Sequence, residues 1–97
     1  MLQLYLYSFI AGLFGANGVP HFIKGIMGEK FQTPFSKESS AVVNVIWGWL
    51  NFLIAGLLLF FGNIHPHLLR AFGLTAIGAL LMACLLAYMW AKNSSKK

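Results

Sequence analysis

The stretch NGVPHFIKGIMGEKFQTPF, Asn17 to Phe35, separates two long uncharged runs and decides how the chain is laid out. Asn-Gly followed by Val-Pro-His is a break signal, and Gly25, Gly28 and Pro34 argue against one continuous amphipathic helix beyond it. Yet Phe22, Ile23, Ile26, Met27, Phe31 and Phe35 make the segment too apolar to float in water. The reading is a first helix ending near Val19, then an interfacial loop over residues 20–40. That loop would lie among lipid headgroups or fold as an apolar flap against a helix bundle.

The flanks supply the bundle. Met1 to Ile23, Ser39 to Leu69 and Ala71 to Ala91 contain no Asp, Glu, Lys or Arg, and each is long enough to cross hydrocarbon, which takes about 20 residues. With 59% hydrophobic and 9% charged residues, the composition is far from that of soluble domains. The expected fold class is an all-α membrane protein, a single domain over 1–97. It has three transmembrane helices at about 2–19, 41–62 and 68–90, and a basic tail at 92–97. The first run lacks the basic start and the cleavage pattern of a signal peptide.

In this setting a net charge of +5 reports topology and not nucleic-acid binding. Lys24, Lys30 and Lys37 lie in the first connection and Lys92, Lys96 and Lys97 in the tail, against Arg70 alone beside the second connection. The positive-inside rule therefore places the N-terminus outside and the C-terminus inside a bacterial cytoplasmic membrane. Tyr5 and Tyr7 then fall at the outer interface, Tyr88 and Trp90 at the inner one.

The link GNIHPH is so short that the second and third helices are expected side by side and antiparallel, with Pro66 ending the second. In PFSKESS, Ser36 reads as an N-cap, so the second helix would start before it enters hydrocarbon. Small residues offer packing faces: Ser8, Gly12 and Ala16 on the first helix, Asn44, Gly48, Asn51 and Ala55 on the second, Ala76, Ala79, Ala83 and Ala87 on the third. The last row suits a neighbouring copy, hence an expected homo-oligomer in the lipid bilayer.

Polar side chains inside spans mark candidate sites. Asn44 and Asn51 share a helix face with a glycine between them, and line a groove or form interhelical hydrogen bonds. Pro20 leaves the Ala16 carbonyl without its helical donor, with Asn17 and His21 in reach of the opened turn. Imidazole changes charge near neutral pH, so His21 is a candidate gate or ligand. Trp47 completes the ligand-binding set, either as an aromatic wall or by stacking on the flap through Phe31 or Phe35. His65 and His67 lie across the membrane from His21 and flank a proline, so no metal site is drawn within one chain. Cys84 reads as apolar filler. No cofactor is implied.

The only carboxylates, Glu29 and Glu38, sit in the flap, and no nucleophile stands beside a base, so an enzyme is not expected. A proton-coupled exporter would want a carboxylate within a span. A phage-type holin matches in size and topology only. The leading expectation is a small oligomeric channel or carrier component with a polar path lined by asparagines; the alternative is an accessory or assembly subunit of a larger membrane complex, or a holin-like pore former.

Overall fold

A computed structural model describes residues 1–95, and side chains over residues 1–92. Three α-helices, α1 (Leu2–Ile26), α2 (Ala41–Phe61) and α3 (Leu68–Ser95), account for most of it. Two strands, β1 (Phe31–Thr33) and β2 (Ser36–Ser39), pair antiparallel between α1 and α2, and a single 3₁₀ turn over His65–His67 precedes α3. By length and composition two helices are able to cross a membrane: Ala41–Phe61, and the segment His65–Lys92 that contains most of α3. The polar residues of α1, including Gln3, Asn17 and His21, keep it out of that class.

The first helix does not stop at Val19. It runs unbroken through Pro20 to Ile26, and its stop signal is Gly28, whose φ of 77° is the left-handed conformation that glycine adopts at no steric cost. Around it the amide of Glu29 donates to the Lys24 carbonyl and that of Gly28 to the Gly25 carbonyl, both at 3.0 Å, the paired bonds of a Schellman motif. Pro20 costs the helix one donor, which packing on both flanks of α1 offsets.

The expected interfacial loop is accordingly shorter and better ordered. Residues 20–26 are helical, and the remainder is built around the β1–β2 hairpin, so the chain is not purely α. The N-cap of α2 is Ser40 and not Ser36; its hydroxyl accepts from the Val43 amide at 3.2 Å. At the other end α2 closes at Phe61, and Asn63 takes a φ of 56°, as asparagine can just past a helix end. Pro66 therefore opens the following 3₁₀ turn and does not end α2. The tail expected at 92–97 is helical as far as Ser95; Lys96 and Lys97 lie outside the described residues.

The largest departure concerns helix order. α2 and α3 are sequential and closely linked, yet they barely touch; α1 lies between them and packs on both. The chain is a slab, 46 × 26 × 19 Å. Two glycine-rich flanks of α1 cause this. On one, Gly12 approaches the Thr75 carbonyl and Gly78 of α3 approaches the Phe9 carbonyl so closely that neither site has room for a Cβ. On the other, a Cβ on Gly18 would stand 2.8 Å from the Gly48 carbonyl, and one on Gly25 2.7 Å from the Ala41 carbonyl. Close backbone approach drives helix association where no hydrophobic difference exists between neighbour and solvent. The short link fixes where α3 starts; α1, offering two such flanks, decides what lies between.

Candidate functional site

The five candidate residues gather along the seam between α1 and α2, in two layers. In the deeper one, Asn17 donates to the Asn51 side-chain oxygen at 3.1 Å, and Asn51 donates to the Trp47 carbonyl, one turn earlier, at 2.8 Å. Asn51 is fully buried. Its amide donor is thus answered by its own helix and its acceptor by the neighbour, an arrangement that ties two helices together.

One layer nearer the hairpin, His21 and Asn44 are both buried, with His21 Nδ1 3.0 Å from Asn44 Oδ1. The amide nitrogen of Asn44 lies 3.0 Å from the Phe31 carbonyl and 3.1 Å from those of Ser39 and Ser40. Its two hydrogens are shared among three acceptors, one on each strand and one at the cap of α2. Asn44 Oδ1 can then only accept, so His21 carries its proton on Nδ1. Nε2 has no hydrogen-bond partner among the described residues.

A hairpin of three and four residues is not stable alone, and aromatic rings complete its attachment. Phe31 sits 5.2 Å from the His21 ring and 4.7 Å from Trp90 of α3, while Phe35 meets Trp47 edge-on at 5.3 Å. This is the flap contact read from the sequence for Trp47. Inside the hairpin, the Thr33 and Ser39 hydroxyls bond each other and Thr33 also receives the Phe35 amide at 3.1 Å. The indole N–H groups of Trp47 and Trp90 and the Ser8 hydroxyl are buried without a partner among the described residues.

The groove expected between Asn44 and Asn51 is filled by these bonds, and both residues are fully buried. Asn17, with Leu13, Phe14 and Met82, borders an apolar cleft of about 290 Å³. His65 and His67 stand apart from the seam in their 3₁₀ turn, and no group of three or more metal-ligating side chains occurs among the described residues. Sequence reasoning missed the hairpin carbonyls that Asn44 holds, since backbone acceptors carry no residue signature. It also gave no hint that Trp90 packs on the hairpin through Phe31. No family model matches the chain, and no curated protein or solved structure matches it.

Proposed function

We propose that this chain is a three-span integral membrane protein acting as an accessory or assembly subunit, packing through α3 against a second copy or a larger membrane partner. The observation that carries this reading is that Asn44 and Asn51 are buried and bonded within the chain: groups that line a solute path must face the solute, and these face α1, the hairpin and the backbone of their own helix. Supporting it, Ala76, Ala83 and Ala87 are exposed on α3, and an exposed line of small residues suits another helix better than it suits acyl chains. Insertion of α1 as the third span is supported by the uncharged run Met1 to Ile23 and by its place between the two apolar helices.

The orientation that fits is hairpin inside. Lys24, Lys30 and Lys37 cluster at the end of the slab where Phe31 meets Trp90, and Arg70 stands at the opposite end, 3.3 Å from the Tyr5 hydroxyl.

A channel or carrier formed between copies is the second reading. It is favoured by Asn17, whose amide oxygen accepts no hydrogen bond among the described residues and which borders an open cleft. Purification in mild detergent with mass determination, followed by solute-flux measurement in liposomes, separates the two. An accessory subunit shows a defined assembly that Ala83→Trp disrupts, and no flux. Flux abolished by Asn17→Leu with the assembly intact would overturn that reading.

A further inference from the structure

Where α1, the hairpin and α3 meet, a cleft of about 550 Å³ is bordered by Pro20, Lys24, Lys30, Phe31, Lys37 and Trp90, with Gln32 and Glu38 completing the wall. Its floor is apolar and its rim is cationic, three lysines against one glutamate. Lys24 is partly committed: its ammonium is 3.4 Å from Glu29 and 5.8 Å from the Phe31 ring centroid. Lys30 and Lys37 are exposed. Such a wall offers charge to an anion.

The cleft has a second property that a simple anion site does not need. Leu13, Asn17, Pro20 and Lys24 recur at offsets of four, three and four, so they share one face of α1. The apolar cleft at Leu13, Phe14, Asn17 and Met82 therefore continues the basic one along the same α1–α3 groove, from Trp90 back to Met82. Both clefts belong at one depth series: α2 begins at Ala41, immediately after the hairpin, and the apolar segment containing α3 ends at Lys92.

We propose that the basic cleft holds the phosphate of an anionic glycerophospholipid, with an acyl chain lying in the apolar groove below it. The proposal rests on the membrane reading above and not on the choice of partner. Lys30 and Lys37 attract the phosphate, and Glu38 disfavours headgroups carrying further negative charge.

The test uses the full chain in nanodiscs of equimolar phosphatidylglycerol and phosphatidylcholine, with lipids retained after gentle release counted by native mass spectrometry. Phosphatidylglycerol is retained over phosphatidylcholine by roughly tenfold, on the order of what two basic groups near a phosphate supply. The double variant Lys30→Gln/Lys37→Gln falls toward parity, and Arg70→Gln, at the opposite end of the slab, changes nothing. Equal retention of both lipids by the parent, or equal loss in Arg70→Gln, overturns the site. Displacement of the lipid by inorganic phosphate alone overturns the lipid in favour of a free anion. Failure of the chain to enter bilayers, seen as extraction by alkaline carbonate, instead sinks the membrane reading itself.

Discussion

Asn44 holds both strands of the hairpin with its nitrogen and His21 with its oxygen, the two side chains meeting at 3.0 Å. One amide thus fixes α1, α2 and the hairpin in a single arrangement, and it does so while fully buried. Each of its atoms is used, so its removal leaves partners with nowhere to turn.

Asn44→Leu should therefore detach the hairpin. Orphaning buried groups costs about 1–3 kcal/mol each, so thermal unfolding in detergent should fall clearly, and residues 28–40 should become cleavable by added protease. A variant whose hairpin stays protected would show that the aromatic contacts alone hold it.

The tautomer of His21 is open to direct observation. Nitrogen-15 spectra of histidine-labelled protein should show the proton of the neutral His21 ring on Nδ1, and Asn44→Leu should release that preference because the acceptor is gone. Proton on Nε2 in the parent would mean that the Asn44 amide is turned the other way.

Glycine substitutions should divide by position. Gly12→Ala and Gly48→Ala place a Cβ against backbone of the neighbouring helix and should open the α1–α3 and α1–α2 seams respectively, each lowering the midpoint of thermal unfolding. Gly56→Ala and Gly73→Ala meet open space and should be neutral or stabilising by up to ~1 kcal/mol. Equal behaviour of the two pairs would contradict the slab with α1 at its centre.

Pro20→Ala should raise stability, since it restores a helical donor inside a helix that is continuous across this position. A loss of helicity in circular dichroism would indicate that the proline is required at this point of the chain.

The sequence by itself determined the three helices in outline and the apolar runs, because these rest on composition and period that hold whatever the neighbours are. It also picked out Asn17, His21, Asn44, Asn51 and Trp47, since polar and aromatic groups among aliphatic ones need partners. What they partner was decided by tertiary structure. The break read at Asn17–Pro20 proved a continuous helix because a packed helix tolerates one missing donor, while the stop moved to Gly28, where a left-handed turn closes the last carbonyls. The order of helices was hidden for a related reason: link length constrains only which helix ends are near, whereas the backbone approaches at Gly12, Gly18, Gly25 and Gly48 choose which flanks meet. Those choices, and not the polar residues alone, turned an expected groove of asparagines into a closed seam.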